Sequence, residues 1–548
     1  MASDPSPPTC AEVLARTLRD AGAVHMFGLP GGEVLDFLEA ARRVGIRFLL
    51  TRHEPAASFM ADVAGQIQGF PGVCLSTLGP GAVNMTLGVA NAWLERSPLL
   101  AITGSHPRAA APFVTHQKLD LGAVYRPFTK LTLALDGENT AAKVRRAIQV
   151  SRTPRPGPVH IALPSDVARE PERETEDPAL VSLDPPRIGP ASAVAIDCVA
   201  DEISRARRPA VILGLDLDPR RHPALVRELV EALGAPAFVT PKAKGILPED
   251  HPLFFGVCAG VAGDSVLVDF LERADLLVGV GFEPVESDKL WHQTGKLVSL
   301  GPVTIAAGDY RPHAEAVGDL AHTLAALRGR RFGPFAWGGD ELARLRSDLE
   351  AALRPVRPPR GLSPLWLTRR LRALFPRDTV LVTDVGSVKA VTTQAWTSYE
   401  PLGFLESNGL SSMSYALPGA MAARLLFPGR PVLCTIGDGG FAMTMTELET
   451  CVRERLHFVT VVYDDRSLSQ IAAAQERRGH PGYGVAFAPV DWAAAAAALG
   501  AWARRVETED ELDAAVRAAR EVDAPAVIVA RVDPAEYAVQ QGPLAPRE

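Results

Sequence analysis

The sequence predicts an α/β protein built from parallel sheets, and three observations support this fold class. Strand-like and helix-like patterns alternate along the chain, as they do where crossover helices join parallel strands. The 548 residues exceed one domain of ordinary size and are enough for about three. Two stretches rich in proline and charge, 170–190 and 344–364, divide the chain and are predicted to be linkers.

The first part of the chain, residues 1–175, is predicted to be one domain. A helix is expected over 11–22, where apolar residues recur at helical spacing. Buried strands are predicted after it, each a short apolar run bounded by turn residues. They lie at 24–28, 46–50, 72–76 and 99–103.

The remainder of the chain repeats this alternation after each predicted linker. A central domain over 190–340 should contain strands at 210–213, 237–239, 276–280 and 296–300. A C-terminal domain over 362–548 should contain strands at 379–383, 432–436, 458–462 and 526–530, with helices at 446–455 and 491–499. Helices between consecutive strands favour a parallel sheet in each domain.

The composition is that of an ordinary soluble protein, with 47% hydrophobic and 22% charged residues. A net charge of −7 gives no reason to expect nucleic acid or an acidic membrane as a partner. The first residues lack the basic and apolar regions of a signal peptide, and no apolar run approaches the roughly 20 residues that span a bilayer. Six scattered cysteines without a CxxC pair favour reduced core residues. We therefore expect a cytoplasmic protein.

Two acidic turns form the most informative pattern in the chain. The apolar run 431–436 ends on Gly437-Asp438-Gly439, and the next predicted strand ends on Asp464-Asp465. Asp438 and Asp465 are 27 positions apart (465 − 438), which leaves room for one strand–helix–strand crossover. Ligands of open parallel sheets bind at the carboxyl ends of the strands. Either motif alone is more often an ordinary turn, but together they favour Mg²⁺ carrying a diphosphate.

A second candidate is Glu54, which follows the buried strand 46–50 and precedes an alanine-rich helical segment. This placement puts a carboxylate at the carboxyl edge of a sheet, where active-site groups collect. An acid that is favoured at a helix N-terminus by the helix dipole explains the same position equally well. From this segment alone, both interpretations stay open.

With these motifs the chain resembles the thiamine-diphosphate-dependent enzymes, and within them the acetolactate synthase group, from Ala11 to about Val532. In that family a Gly-Asp-Gly triplet and a later Asn-Asn pair hold the metal and the cofactor diphosphate. The resemblance implies pyrimidine-binding, central and diphosphate-binding domains in that order. The implied metal ligands are Asp438, Asp465 and the backbone carbonyl of Ser467. The implied cofactor-binding set also includes Gly437, Gly439 and Gly440.

The resemblance also assigns catalytic residues. Glu54 matches the family's catalytic glutamate, which hydrogen-bonds the aminopyrimidine of the cofactor and favours the tautomer that removes the thiazolium C2 proton. Gln117 matches a glutamine that lines the reaction pocket and could orient a substrate carbonyl. A solvated loop amide is an equally good interpretation of Gln117.

Further cofactor contacts are implied in the C-terminal domain. Met413 matches the bulky residue that props the cofactor into a V shape, and the carbonyl of Ser411 would accept a hydrogen bond from the aminopyrimidine. A lone methionine is more often core filler, so only its position favours this role. The turn at Gly386, Ser387 and Val388 would present backbone amides to the diphosphate.

The chain departs from the family pattern at several positions. Asp465 stands where the family has Asn; another charge at about 4 Å from a diphosphate costs on the order of 4 kcal/mol before the metal offsets it. Ser411 and Ser414 stand where the family usually has glycine. The strand-end motif 279–284 carries Glu283 where flavin-containing acetolactate synthases have a basic residue, so we expect no functional FAD.

The function expected from the resemblance is a carboligase that decarboxylates a pyruvate-like 2-oxo acid and joins the product to an acceptor carbonyl. Three alternatives remain: a 2-oxo acid decarboxylase or hydroxyketone lyase, a flavin-dependent oxidase, and a catalytically inactive relative. Leu78 stands where some decarboxylating relatives have a catalytic histidine, which weakens the simple decarboxylase. The family also implies a homodimer or a dimer of dimers, in which Glu54 and the metal site of one active centre come from different subunits.

Overall fold

Three parallel sheets of six strands each form the framework of the described part of the chain. A computed structural model describes residues 7–259, 264–286, 296–305, 311–356, 358 and 360–540. The ends of the predicted N- and C-terminal domains (1–6 and 541–548) and positions 357 and 359 of the second predicted linker lie outside these residues. In the described part, no helix is long and apolar enough to cross a membrane.

The described residues form two compact units. The first contains the chain up to Arg187, with Met421–Leu426 and Thr446–Leu456. The second contains Ile188–Ala420, Phe427–Met445 and the chain from His457 onward, and it holds both the central and the C-terminal sheet.

The sheet of the first unit has the strand order β2-β1-β3-β4-β6-β5. Its strands are β1 (His25–Leu29), β2 (Arg47–Leu50), β3 (Gly72–Ser76), β4 (Leu99–Ser105), β5 (Leu131–Ala134) and β6 (Pro158–Pro164). Its helices are α1 (Cys10–Asp20), α2 (Leu35–Arg43), α3 (Glu54–Gln68), α4 (Pro80–Leu94), α5 (Leu121–Tyr125), α6 (Thr140–Arg152) and α7 (Ser165–Arg169). The central strand β3 is buried along its whole length, as expected when helices cover both faces of a parallel sheet.

Local sequence explains where several of these helices begin and end. At the start of α1, Thr9 accepts from the backbone of Glu12 while the Glu12 side chain accepts from Thr9, which is the reciprocal capping box. Pro55 and Pro80 stand in the first turns of α3 and α4, where a missing N–H costs nothing. Gly69 ends α3 in the left-handed conformation at φ 63°.

The central sheet has the order β12-β11-β10-β7-β8-β9. Its strands are β7 (Pro209–Leu213), β8 (Ala237–Val239), β9 (Phe254–Val257), β10 (Leu276–Val280), β11 (Leu297–Gly301) and β12 (Ala314–Val317). Its helices are α8 (Ala193–Arg205), α9 (Pro223–Leu233), α10 (Ser265–Leu271), α11 (Leu320–Leu327) and α12 (Gly339–Ala352). Strands β7 and β10 are completely buried and separate two apolar clusters.

The C-terminal sheet has the order β14-β13-β15-β16-β18-β17. Its strands are β13 (Val380–Thr383), β14 (Phe404–Glu406), β15 (Val432–Gly437), β16 (Val459–Asp464), β17 (Trp502–Val506) and β18 (Ala526–Arg531). The helices of this part of the chain are α13 (Pro364–Leu374), α14 (Ser387–Ala395), α15 (Ala416–Leu426), α16 (Asp438–Thr444), α17 (Glu447–Glu454), α18 (Ser469–Arg477), α19 (Trp492–Ala498), α20 (Glu509–Glu521) and α21 (Ala535–Gln540). Of these, α17 and the Met421–Leu426 part of α15 belong to the first unit.

The structure confirms the three parallel-sheet α/β assembly and the strands predicted for it, with ends that shift by one or two residues. The prediction of a linker over 344–364 is wrong for its first half, because α12 extends to Ala352. Leu342, Leu345 and Leu349 recur at helical spacing in this charged segment and pack on an apolar cluster of the central sheet. Their burial, rather than the surrounding charge, decides the local structure.

Candidate active site

Asp438 and Asp465 lie at the carboxyl ends of two adjacent parallel strands. Strand β15 ends at Gly437, and Asp438 is the first residue of α16. Gly437 is paired with Tyr463 of β16, so the chain reaches Asp465 one residue after that strand ends at Asp464. The crossover inferred from the sequence spacing therefore places both acidic turns at one edge of the C-terminal sheet.

Asp465 is held by groups of its own turn, whereas Asp438 is held by one amide of its own turn and one of the turn after β16. Asp438 Oδ1 accepts from the Gly439 amide at 2.7 Å, and its Oδ2 accepts from the Arg466 amide at 2.7 Å. Asp465 Oδ1 accepts from the Ser467 amide at 2.9 Å, and its Oδ2 accepts from Ser469 Oγ at 2.7 Å. The Arg466 amide thus links the turn that follows β16 directly to Asp438.

The electrostatics of the pair favour a cation. Burial, and next the negative charge of Asp465, raise the pKa of Asp438 to about 7. Burial also raises the pKa of Asp465. Ionising two buried carboxylates side by side is unfavourable, and a bound divalent ion would offset this cost. Oxygen ligands suit Mg²⁺. No group of three or more His, Cys, Asp or Glu side chains able to hold a metal occurs in the described residues; the set inferred here is two carboxylates and the Ser467 carbonyl.

The glycines beside Asp438 leave room that a side chain would fill. A Cβ at Gly440 would lie 1.9 Å from Asp384 Oδ2, so no other residue fits without a shift. A Cβ at Gly439 would lie 3.2 Å from Met413 Cε and 3.3 Å from the Phe487 ring. Beside Gly437 there is open space. This combination of bare backbone and acidic oxygens fits a metal–diphosphate.

Met413 therefore lies next to the Gly-Asp-Gly turn. Two nearby residues of the same loop have unusual backbone conformations: Ser411 has φ +52° and Ser414 has φ +75°. These values lie in the left-handed region, which residues other than glycine rarely adopt. The loop thus follows a path suited to glycine although serines occupy both positions.

The turn at Gly386 connects β13 to α14. Gly386 has φ +114° and Ser387 begins the helix. Val388 is 2% exposed and belongs to the apolar cluster of this sheet, so its side chain is occupied in the core. Only its backbone is available for the predicted amide contact, and the helix N-terminus favours an anion.

Glu54 and Gln117 belong to the first unit. Glu54 begins α3 and is 4% exposed, and its Oε2 accepts from Asn84 Nδ2 of α4 at 3.1 Å. A Cβ at Gly81 would lie 2.9 Å from Glu54 Oε1, so glycine keeps that side of the carboxylate open. Gln117 has φ +54°. A Cβ placed on Gly79 would lie 2.9 Å from the Cβ of Gln117. The structure thus brings Gln117 to the loop before α4.

Comparison with known proteins identifies the family of this chain. Its residues match the N-terminal, central and C-terminal domains of the thiamine pyrophosphate enzymes at 8–124, 196–327 and 384–530. The acetolactate synthase of Bacillus subtilis (strain 168) is 31% identical over 540 residues, which cover 95% of this chain and 93% of that protein. The chain belongs to the thiamine pyrophosphate enzyme family.

Two further relatives show the range of activities near this thiamine pyrophosphate enzyme. The catabolic acetolactate synthase of Raoultella terrigena is 31% identical over 540 residues, covering 95% of each chain. A probable 2-ketoarginine decarboxylase of Pseudomonas aeruginosa is 32% identical over 526 residues, covering 93% of this chain and 91% of that protein. The similarity to acetolactate synthases confirms the recognition made from the sequence motifs.

Sequence reasoning missed Asp384, which follows β13 in this thiamine pyrophosphate enzyme. Its carboxylate accepts from the amides of Ser414, Tyr415 and Ala416 at 2.8–3.1 Å. Burial raises its pKa to about 6 even though these amides favour the charged form. Asp384 fixes the end of the Met413 loop beside Gly440, and its place at a strand end was the signal available in the sequence.

Asn84 and Glu447 were missed as well. Asn84 holds the Glu54 carboxylate. Glu447 Oε1 accepts from the amides of Arg52 and His53 at 2.9 and 3.1 Å, and Thr450 Oγ1 donates to its Oε2 at 2.7 Å. The segment that leads into Glu54 is therefore fastened by a residue almost 400 positions away, which no local pattern reveals.

Proposed function

We propose that this chain is a thiamine-diphosphate- and Mg²⁺-dependent carboligase. It would decarboxylate a pyruvate-like 2-oxo acid and transfer the remaining acyl unit to an acceptor carbonyl. The observation that supports this most strongly is the alignment of acetolactate synthases along 95% of the chain. The two adjacent acidic turns agree with it, because they suit a metal-bound diphosphate.

In this proposal the C-terminal sheet holds the cofactor. Asp438, Asp465 and the Ser467 carbonyl would bind Mg²⁺. The backbone of Gly437, Gly439 and Gly440 and the amides of Gly386, Ser387 and Val388 would hold the diphosphate. Met413 would support the cofactor, and the Ser411 carbonyl would accept a hydrogen bond from its aminopyrimidine.

In the homodimer that the family implies, the first unit of a partner subunit would contribute the proton-handling group. Bound thiamine diphosphate would supply the nucleophilic carbon and accept the electrons that are released when CO₂ leaves. Glu54 controls the protonation of the aminopyrimidine, and Asn84 fixes the Glu54 carboxylate for that task. Gln117 orients the carbonyl of the substrate. The assembly is proposed to be a homodimer or a dimer of dimers, as the family implies.

We propose no flavin in the central domain. At the carboxyl end of β10, Glu283 is 3% exposed and Glu286 is 6% exposed. Glu286 accepts from Thr240 Oγ1 at 2.5 Å and from the amides of Leu215 and Lys242 at 3.1 and 3.0 Å. Two buried acids are unfavourable neighbours for a flavin diphosphate. A colourless purified protein is expected; a bound yellow chromophore would contradict this part of the proposal.

The second candidate is a 2-oxo acid decarboxylase or a hydroxyketone lyase that uses the same cofactor. The observation in its favour is the 32% identity to a probable 2-ketoarginine decarboxylase. All three activities use the same cofactor, so the residues that hold the cofactor do not distinguish them. The carboligase transfers the acyl unit to a carbonyl acceptor, and the decarboxylase releases it as an aldehyde after protonation. The lyase starts from a hydroxyketone and cleaves it.

A substrate assay separates these candidates. Carbon-13-labelled pyruvate is incubated with the protein, thiamine diphosphate and Mg²⁺, alone and with added aldehyde or ketone, and the products are followed by NMR and mass spectrometry. The carboligase predicts a new carbon–carbon bond to pyruvate or to the added acceptor. Release of free aldehyde alone supports the decarboxylase, and cleavage of an added hydroxyketone supports the lyase. A panel of other 2-oxo acids, including a guanidino-substituted one, extends the test to the donor.

A further inference from the structure

The loop 407–414 adopts its conformation against local preference. Ser411 at φ +52° and Ser414 at φ +75° lie in a region that disfavours any side chain with a Cβ. Such conformations persist only where surrounding contacts impose them. Part of that restraint is the set of amides that Asp384 accepts at the far end of the loop. The near end must be held by other groups.

Lys389, in the first turn of α14, holds the near end. Its Nζ donates to the Ser407 carbonyl at 2.8 Å, to Asn408 Oδ1 at 2.9 Å and to Ser411 Oγ at 3.3 Å. Ser411 Oγ in turn donates to the Asn408 carbonyl at 2.8 Å. One ammonium group therefore contacts three residues of the loop, and one of these is a residue with positive φ.

The same ammonium group faces a buried acid. Glu406, the last residue of β14, has a fully buried side chain whose Oε1 lies 3.6 Å from Lys389 Nζ. Within the described residues, Glu406 Oε1 accepts no hydrogen bond, whereas Oε2 accepts from Thr393 Oγ1 at 2.6 Å. Lys389 and Thr393 are one turn apart on α14, so both link this helix to the end of β14. A buried carboxylate without a nearby cation would be unfavourable.

The central sheet supports the loop from another side. Asn408 Nδ2 donates to Glu286 Oε1 at 3.5 Å, and Lys242 Nζ donates to the Glu406 carbonyl at 3.4 Å. These bonds are long and act on the start of the loop only. Within the loop, Ser411 Oγ bonds the Asn408 carbonyl and the Ser412 amide donates to Ser407 Oγ at 2.9 Å. Lys389 adds a cation from a neighbouring helix that joins Ser407 and Asn408 to Ser411.

We propose that Lys389 is a positioning residue that keeps the loop 407–414 in its left-handed path and so presents the Ser411 carbonyl and Met413 in a cofactor-ready arrangement. The part concerning the cofactor rests on the proposed function. The part concerning the loop does not, because it is a property of the protein without ligands. Lys389 at Ser411 and Asp384 at Ser414 thereby impose through contacts the conformations that glycines would reach through backbone freedom.

The first measurement is hydrogen exchange of the loop amides in the ligand-free protein, with calorimetric titration of thiamine diphosphate at fixed Mg²⁺. Lys389→Met should exchange faster across 407–414 and bind the cofactor about ten- to a hundredfold more weakly, as expected when charge-assisted hydrogen bonds are lost. Lys389→Arg keeps the charge and several donors and should lie between wild type and Lys389→Met. Unchanged exchange and affinity in Lys389→Met would overturn the proposal.

A rescue experiment tests the conformational part. Glycine reaches positive φ without steric cost. The triple variant Lys389→Met, Ser411→Gly, Ser414→Gly should therefore recover most of the cofactor affinity, to within about threefold of the double glycine variant. Failure of the glycines to restore affinity would contradict the proposal, because the defect would then lie elsewhere than in the loop path.

A second variant separates loop positioning from neutralisation of Glu406. In Lys389→Met with Glu406→Gln the buried charge is removed, so the protein should be as stable to urea as wild type while the loop still exchanges fast. A loop as protected as in wild type would show that Lys389 only neutralises Glu406. If the wild-type protein binds no thiamine diphosphate, the proposed function fails, and the exchange data still decide the role of Lys389.

Discussion

At the scale of single residues, the candidate site residues are carboxylates that are oriented by neighbouring hydrogen-bond donors. Glu54 keeps one carboxylate oxygen beside Gly81 and has the other fixed by Asn84. Asp465 accepts from an amide and a hydroxyl of its own turn, and Asp438 accepts from the amides of Gly439 and Arg466, so each is oriented before any ligand arrives. Preorganisation of this kind reduces the cost of assembling the site around a ligand.

Glu54 and Asn84 give the first prediction. Glu54→Gln should bind thiamine diphosphate but lose about 10²–10⁴-fold in turnover, as for a general acid–base group. Asn84→Ala removes one hydrogen bond to the carboxylate and should cost about ten- to a hundredfold in kcat. Steady-state kinetics with matched cofactor titrations measure both. Wild-type turnover in Glu54→Gln would remove Glu54 from the mechanism, and an Asn84→Ala defect confined to KM would contradict the positioning role.

At the scale of elements, the sequence reveals interior strands better than edge strands. Five of the six strands that the sequence analysis missed, β5, β9, β12, β14 and β17, are edges of their sheets. An edge strand pairs on one side only and needs less apolar sequence; β17, for example, reads Trp-Ala-Arg-Arg-Val with two exposed arginines. The exception, β6, is an interior strand bounded by Pro158 and Pro164. Proline within an apolar run argues against an interior strand, so this strand was not predicted.

The same distinction applies to the site. Asp438 and Asp465 follow the interior strands β15 and β16, and Glu54 follows β2, an edge strand whose apolar run was recognised, so their place at the carboxyl ends of strands could be derived from the pattern. Asn84, Asp384, Lys389 and Glu447 act on segments to which they are not adjacent in sequence, and their partners became visible only in the fold. The positive φ of Ser411 and Ser414 was equally hidden, because serine gives no local signal for it.

Glu447 in α17 gives a prediction of pH dependence. Burial raises its pKa to about 7 from the ordinary value of 4.5, so the folded protein binds a proton that the unfolded chain has already released. Stability from this group is present below pH 4.5 and is lost as the pH rises from about 4.5 to about 7, by on the order of 3 kcal/mol in total. In Glu447→Gln this component should be absent.

The measurement is the urea midpoint of unfolding between pH 5 and pH 7.5. Glu447→Gln should reduce the decline that is expected for wild type over that interval. Glu449→Gln is a matched control, because Glu449 lies on the same helix but its side chain is 39% exposed. An identical pH slope in wild type and Glu447→Gln would show that Glu447 is ionised in the fold.

At the scale of the whole molecule, a buried ion pair connects the central and C-terminal sheets of the second unit. Lys244, after β8, has a fully buried side chain 2.7 Å from Glu249 Oε1, and its Nζ donates to the Trp396 carbonyl at 2.9 Å. The Glu249 amide donates to the Ser398 carbonyl at 3.0 Å. The turn after β8 is thereby attached to the segment that follows α14.

Removal of one partner should be far more harmful than removal of both. Lys244→Met leaves Glu249 buried without its cation and should cost about 3–5 kcal/mol, whereas Lys244→Met with Glu249→Leu should regain most of that loss. Thermal and urea unfolding of the two variants make the comparison. A double variant as unstable as the single one would contradict the ion-pair account.

Assembly gives a further prediction at this scale. If two copies of the chain are needed for one active centre, Glu54→Gln and Asp438→Ala proteins, each inactive alone, should regain part of the activity when mixed under subunit-exchange conditions. Pure Glu54→Gln carried through the same exchange is the control. Full activity in a species that sediments as a monomer would contradict the homodimer.

Calorimetric titration of thiamine diphosphate at fixed Mg²⁺ tests most directly the central claim, that the acidic turns after β15 and β16 form the cofactor site. Wild type should bind, and Asp465→Asn should bind at least as tightly at saturating Mg²⁺, because it removes a charge near the diphosphate at nearly constant shape. Asp465→Ala and Asp438→Ala should each lose more than about tenfold in affinity, since a metal ligand is missing. Unchanged affinity in Asp465→Ala would contradict the assignment of this edge of the sheet as the metal–diphosphate site.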